Sequence, residues 1–188
     1  MKVLFKVIII LLIGVGSLYG WHHNKTLFEI QSKIYPKLVL MDKDYKTKLV
    51  RTGSQKDDLS IVLTILTTKK DIETAKEFKN LIQKKYNYTL RRTPLKVKIL
   101  QYENLNNKTK TTSLFLLESD EEDIKKAVEY AKHHSILTFS YNEKNLKHGV
   151  MMSLFIGKSV KPYINKSAIK NNNINLDPML IGISEIYE

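Results

Sequence analysis

Histidines, carboxylates and hydroxyl side chains are the groups that could do chemistry in this chain, because it contains no cysteine. The adjacent pair His133 and His134 ends a predicted helix, where neighbouring side chains point in different directions and cannot share a metal ion. The acidic run at residues 121–123 suits the positive end of a helix dipole better than a buried acid–base pair. No Gly-x-Ser-x-Gly nucleophile elbow is present. We therefore predict no catalytic residue, no metal and no cofactor, and we do not expect an enzyme.

Ligand binding is the other chemistry that the residue pattern allows. Ligands of parallel sheets bind beyond the carboxyl ends of the strands. Three predicted strands end in hydroxyl residues, and none of these ends carries a glycine-rich phosphate loop. The candidate ligand-binding residues are Thr67, Thr68, Ser119 and Ser140. Ser119, with Glu122 three residues later, also matches a helix capping box.

The elements that must position these residues follow from the apolar pattern. Strands are predicted at residues 59–66, 95–99, 113–117 and 136–139, with helices at 26–41, 68–86 and 119–133. This alternation predicts an α/β fold of three layers, in which helices cover both faces of a mostly parallel sheet. Pro36 is expected to kink or end the first helix.

The C-terminal part departs from this alternation. Apolar runs at residues 150–156 and 160–164 flank a turn at Gly157, which predicts an antiparallel hairpin extension of the sheet. Pro162 confines the second of these strands to a sheet edge or a bulge. Asp177 and Pro178 are predicted to open a final helix. Its apolar face would contain Met179, Leu180, Ile183, Ile186 and Tyr187.

The N-terminus has the composition of a leader. Lys2 and Lys6 are followed by an apolar run and then by the small residues Gly16, Ser17 and Gly20. This order predicts a signal peptide at residues 1–20, with an uncleaved membrane anchor as the alternative. Residues 21–188 are predicted to form a single domain, since no linker or internal repeat divides them.

The formal net charge of +12 does not predict nucleic-acid binding. Lysines are scattered along the chain, and the only arginines are Arg51, Arg91 and Arg92. Phosphate recognition favours arginine forks or a focused basic stripe. A solvated, lysine-rich surface is the better interpretation.

The C-terminal third carries a resemblance to a known family. Residues 136–141 read ILTFSY, residues 149–156 read GVMMSLFI, and residues 159–169 lead from a strand into a short helical turn. This order resembles the YfiR-type periplasmic regulators, with Asn165, Ala168 and Leu180 where the family pattern would place them. Residues 33–37 fit only loosely, because they lack the Trp-Pro ending of the family.

The resemblance implies a periplasmic domain that binds the outer part of an inner-membrane signalling protein, a diguanylate cyclase or a histidine kinase. A disulfide-dependent control of the kind seen in the family cannot operate without cysteine. The contact surfaces we expect are residues 157–163, 140–149 and 43–55. The predicted partner-binding residues are Ser140, Tyr141, His148, Gly149, Lys161 and Tyr163. A small-ligand sensor that serves a membrane receptor is the alternative function, and a homodimer stays open.

Overall fold

The computed structural model describes residues 25–53 and 58–187. The predicted leader at residues 1–20 lies outside these residues. Within them, no helix is both long enough and apolar enough to cross a membrane. The helices are α1 (Lys25–Val39), α2 (Ile72–Tyr86), α3 (Glu121–His134), α4 (Lys166–Asn171) and α5 (Pro178–Ile183). Short 3-10 segments lie at Tyr45–Lys48, Lys69–Asp71, Tyr102–Asn104 and Glu143–His148.

The described strands form one sheet. They are β1 (Val50–Arg51), β2 (Leu59–Thr67), β3 (Thr89–Leu90), β4 (Thr93–Gln101), β5 (Ser113–Leu116), β6 (Leu137–Ser140), β7 (Met152–Ile156), β8 (Val160–Asn165) and β9 (Glu185–Tyr187). Their order is β3-β4-β2-β5-β6-β7-β8-β9, with β1 paired to the start of β2. The five strands from β4 to β7 in this order run parallel. The predicted mostly parallel α/β sheet is therefore confirmed.

Alternation along β5 shows why the sheet has three layers. Phe115 belongs to the core cluster beneath α1 and α2, whereas Leu114 and Leu116 belong to the cluster beneath α3. Successive side chains of a strand point to opposite faces, so an all-apolar strand needs a helix on each side. Both faces of the central strands are covered in this way.

The hairpin extends the sheet as predicted. Strand β8 pairs antiparallel with β7, and β9 pairs parallel with β8 only from Tyr163 onward. Pro162 thus lies in the stretch of β8 that has no described strand on its outer side, which suits a residue without an N–H group. Because β6 ends at Ser140 while β7 continues to Ile156, the hairpin projects beyond the carboxyl edge of the parallel strands.

Helix α1 runs through Pro36 to Val39, so of the two effects predicted for this proline, a helix end is not seen. Two local predictions were wrong. Asp120, not Ser119, caps α3, because its carboxylate accepts the N–H of Asp123. The last helix stops at Ile183, and residues 185–187 form β9, since the open side of β8 offers them strand pairing.

Candidate functional site

The sheet order places a switch point between β2 and β5, where the chain reverses direction across the sheet. Thr67, Thr68 and Ser119 lie at the strand ends there, as predicted. Their hydroxyls are already used: Thr67 donates to the carbonyl of Thr68 (3.2 Å), and Thr68 donates to Asp71 (2.7 Å). Ser119 donates to Asp123 at 2.5 Å. These contacts fix the starts of two helices and leave the switch point without free hydroxyl donors among these residues.

Ser140 joins four elements from a fully buried position. Its hydroxyl accepts the side-chain N–H of Asn145 (2.8 Å) and the backbone N–H of Asn142 (3.2 Å). Its carbonyl accepts the hydroxyls of Tyr35 (2.6 Å) and Ser153 (3.0 Å). Burial raises the pKa of Tyr35 well above its usual value, so this hydroxyl stays protonated and donates. Ser140 therefore offers no surface to a partner or ligand, and its place is structural.

His148 and Gly149 form the turn into β7. His148 lies 3.5 Å from the carboxylate of Glu121 and exposes 13% of its side chain. The pKa of that carboxyl is lowered, first by a hydrogen bond from Lys125 and then by His148. Gly149 has φ of +93°, and a Cβ there would come within 3.1 Å of Val128. Glycine adopts this left-handed backbone conformation more readily than other residues. The turn before β7 therefore explains why a glycine precedes this strand.

Tyr163 and Lys161 lie on the face of the hairpin opposite Leu154 and Ile164, which belong to the core cluster beneath α1 and α2. The ring of Tyr163 contacts Phe155 on one side (5.7 Å between centroids) and Tyr187 on the other (5.9 Å). We call these three residues the aromatic ladder. Lys161 lies 3.5 Å from Glu185, and both side chains are about half exposed. Aromatic and charged groups are thus collected on one open surface.

Apolar side chains are also exposed at the tip of the hairpin. Phe155, Ile156 and Val160 expose 36%, 54% and 38% of their surface, and we call them the hairpin patch. Ile156 and Val160 face each other across the turn. Helix α5, which packs on β8, exposes Met179 and Ile183 as well. Five of the seven large apolar residues exposed in the described part of the chain therefore lie in this region.

A cleft of about 270 Å³ opens where α1 crosses the carboxyl ends of β5, β6 and β7. We call it the strand-end cleft. It is lined by Leu27, Gln31, Glu118, Tyr141, Asn142, Glu143, Leu154 and Ile156. Tyr141 is the one predicted site residue that lines it. Sequence reasoning missed Gln31, although a signal existed: Gln31 lies on the inner face of α1, at helical spacing between Phe28 and Tyr35.

No metal site is seen in residues 25–53 and 58–187, because no three His, Asp or Glu side chains there converge. The site features are therefore a surface and a cleft. The surface contains aromatic and aliphatic groups, which are suited to protein contacts. The cleft contains hydrogen-bond acceptors and apolar walls, which are suited to a small molecule.

A sequence model of the YfiR/HmsC-like family matches residues 47–185 of the chain. The chain belongs to the YfiR/HmsC-like family. Membership confirms the resemblance found in the C-terminal third and extends it across most of the sheet. The family is one of periplasmic regulators of cyclic-di-GMP signalling, and it is regulatory rather than catalytic.

Two solved structures are similar in fold. One is the ABC domain in complex with L-Trp from Streptococcus pneumoniae, with a TM-score of 0.53, 10% identity, and coverage of 80% of this chain and 61% of the other. The second is a conserved domain protein from Vibrio cholerae, with a TM-score of 0.55, 12% identity, and coverage of 84% and 60%. This YfiR/HmsC-like chain thus spans about 60% of their length, and the likeness concerns the fold alone. A comparison with curated proteins gave no match.

Proposed function

We propose that this chain is a periplasmic regulatory protein that binds the outer domain of an inner-membrane signalling protein and modulates its activity. The partner we propose is a diguanylate cyclase or a histidine kinase. Family membership supports a role in cyclic-di-GMP signalling. The hairpin patch is the observation that best supports binding to another protein. An N-terminal membrane anchor would hold the domain close to such a partner.

The hairpin patch has the composition of an interface centre. Single exposed apolar residues are normal on protein surfaces, but a contiguous apolar patch marks a contact site. Ile156 and Val160 are cross-strand partners on one face of the hairpin tip, and Phe155 points to the other face, so the tip is apolar on both sides. Tyr163 and the pair of Lys161 and Glu185 lie on the face of Phe155 and supply a more polar surround there. Interfaces typically combine an apolar centre with such a polar rim.

Side-chain contact is the mode of binding that this geometry favours. The outer side of β8 is open at residues 160–162, since β9 pairs only with residues 163–165. A partner strand could add there, but Pro162 has no N–H to donate. Only a very short ladder would form, so the apolar and aromatic side chains of the hairpin must supply most of the affinity.

The test is a pull-down from bacterial membranes with tagged protein as bait and mass spectrometry as readout. Val160→Glu should abolish recovery of the signalling protein, because a charge would be buried at the centre of the contact. Tyr88→Glu is the control: Tyr88 is also an exposed large apolar residue, at 59% against 38% for Val160, and lies at the opposite end of the sheet. Equal loss with both variants, or with neither, would place the contact elsewhere and contradict the proposal.

The strand-end cleft favours a second function, a sensor that presents a small solute to a membrane receptor. The cleft lies at the carboxyl edge of parallel strands, where such sheets bind ligands. The similar domain from S. pneumoniae is in complex with L-Trp, which motivates a search for a small ligand here. A saturable rise in melting temperature with a small molecule would support this function.

A further inference from the structure

Gln31, which lines the strand-end cleft, carries a buried acceptor without a donor in the described part of the chain. Gln31 is 1% exposed, and its Nε2 donates to the carbonyl of Tyr141 at 3.2 Å, which fixes the orientation of the amide. The remaining atom, Oε1, has no hydrogen-bond partner among the described residues. Buried polar groups in native proteins are nearly always paired, so an orphan acceptor beside a cleft indicates a missing donor.

Glu118 presents a second acceptor to the same cleft. Its Oε1 accepts the side-chain N–H of Asn142 at 2.8 Å. This bond holds the half-buried carboxylate in place and leaves its other oxygen without a partner in the described part of the chain. Glu143 lies on the rim and adds a second negative charge. The polar side of the cleft is therefore rich in acceptors.

The charge of the cleft is opposite to that of the chain. Its two charged lining residues are both glutamates, although the whole chain carries +12. A second cleft, at the opposite ends of the strands, is lined instead by Lys48, Arg51 and Lys110. A cleft lined by one sign of charge concentrates ligands of the other sign. The strand-end cleft thus selects a cation and repels a carboxylate.

The cation must be small and partly apolar. Leu27, Leu154 and Ile156 form the apolar wall, and the volume of about 270 Å³ lies below the usual range for drug-sized ligands. Because no described His, Asp and Glu side chains converge as metal ligands, an organic cation fits better than a metal ion.

We propose that the strand-end cleft binds a small primary ammonium ion that carries an apolar group. The ammonium donates to Gln31 Oε1 and to the carboxylate of Glu118, and the apolar group packs against Leu27 and Leu154. An ammonium group has three donors and no acceptor, which matches the two acceptors, Gln31 Oε1 and one oxygen of Glu118, that have no donor in the described part of the chain. This inference names the ligand class of the second function proposed above and does not depend on the first.

Isothermal titration of the purified protein with 2-phenylethylamine at pH 7 tests the inference. Saturable binding is expected, and the carboxylate of similar shape, 3-phenylpropanoate, should not bind. Glu118→Gln should weaken binding by about tenfold, because it removes the charge while keeping an acceptor for Asn142. Glu129→Gln changes an exposed carboxylate on α3, next to Tyr130 of the second cleft at the opposite ends of the strands, and should leave the affinity unchanged.

Each other outcome overturns the inference in a recognisable way. Binding of 3-phenylpropanoate alone would reject the ammonium assignment while keeping the sensor function. Binding of neither compound, together with no thermal shift across a panel of small solutes, would reject both. Amine binding that Glu118→Gln does not weaken would move the site elsewhere. The membrane pull-down is independent of all three results.

Discussion

Aromatic residues gather in two places on the same sheet, and the two groups are used differently. Beneath α1 and α2, Tyr35, Phe78, Phe115 and Phe139 are fully buried, with ring centroids 4.2–5.0 Å apart. Along the hairpin, the rings of the aromatic ladder lie 5.7 and 5.9 Å apart and remain partly exposed. The difference comes from what covers each group, since α1 and α2 lie over the first and no helix in the described part of the chain lies over the second.

Residue type alone therefore does not decide whether an aromatic side chain serves stability or binding. Aromatic side chains bring a large apolar area to whichever surface they meet. In the buried group this apolar area is already removed from water by the fold, so it contributes to stability. In the aromatic ladder and the hairpin patch it is still available, so it can contribute to binding.

Phe115→Ala should have the largest effect. Phe115 stacks on Phe78 at 4.2 Å and contacts Tyr35 at 4.9 Å. Its removal should lower the free energy of unfolding by about 3–5 kcal/mol, measured by urea denaturation. Phe155→Ala in the aromatic ladder should lower it by less than about 1 kcal/mol. Similar losses for the two variants would show that the ladder belongs to the core, and the comparison would fail.

Asn165→Ala should come next, by loosening the base of the hairpin. Asn165 accepts the N–H of Ala168 and so caps α4, while its Nδ2 donates to the buried carbonyl of Leu146, both at 2.8 Å. Losing the cap and one of the two hydrogen bonds to that carbonyl, which also accepts the N–H of Gly149, should cost about 2–3 kcal/mol in the same urea assay. Asn165→Ser keeps a capping oxygen but not the donor to Leu146, so it should fall between Asn165→Ala and the parent. An alanine variant as stable as the parent would contradict this.

Tyr35→Phe should cost about 1–2 kcal/mol at neutral pH, because it removes the hydrogen bond to Ser140. It should also change the alkaline limb of the stability curve. Burial raises the folded-state pKa of Tyr35 above its usual 10.0, so above about pH 10 the unfolded chain releases this proton and the folded one retains it. Stability therefore falls as pH rises past 10.

Urea titrations between pH 8 and 11 measure that limb. Tyr35→Phe should flatten it without abolishing it, because burial also raises the pKa of Tyr86 to about 12 and that of Tyr102. An identical limb in Tyr35→Phe and the parent would argue that Tyr35 is not deeply buried.

Lys161→Ala should have the smallest effect on stability. Its ion pair with Glu185 is half exposed on both sides and 3.5 Å long. Such pairs are screened by water, so a change below about 0.5 kcal/mol is expected in urea denaturation. A larger loss would mean that this pair helps to hold β9 against β8, and the hairpin would then be less free for binding than proposed.

Much of the sheet could be predicted from the sequence, because the local pattern of apolar and polar residues indicates where its longer strands lie. Leu95 and Val97 alternate with Lys96 and Lys98, and β4 follows with the expected burial. Residues 185–187 could not be assigned in this way. Ile186 and Tyr187 continue a helical spacing from Ile183, and only the open side of β8, which is distant in sequence, makes them a strand.

The candidate site was less predictable, since it depends on which strands are neighbours. Ser140 is buried because β6 lies between β5 and β7, an order that no local pattern reveals. Gln31 and Glu118 meet at the strand-end cleft from positions far apart in the chain. The hairpin surface was easier to predict, because its two strands are adjacent in sequence.

The pairing of β9 with β8 also has a consequence for folding in time. Strand β9 is synthesised after every other described strand. It can pair with β8 only once α4 and α5, which form the crossover between these two parallel strands, are in place. Until then, residues 163–165 present an unpaired edge next to the exposed hairpin patch. An open edge beside apolar side chains favours aggregation. The region proposed for recognition is thus also the last part of the sheet to be protected as each new molecule matures.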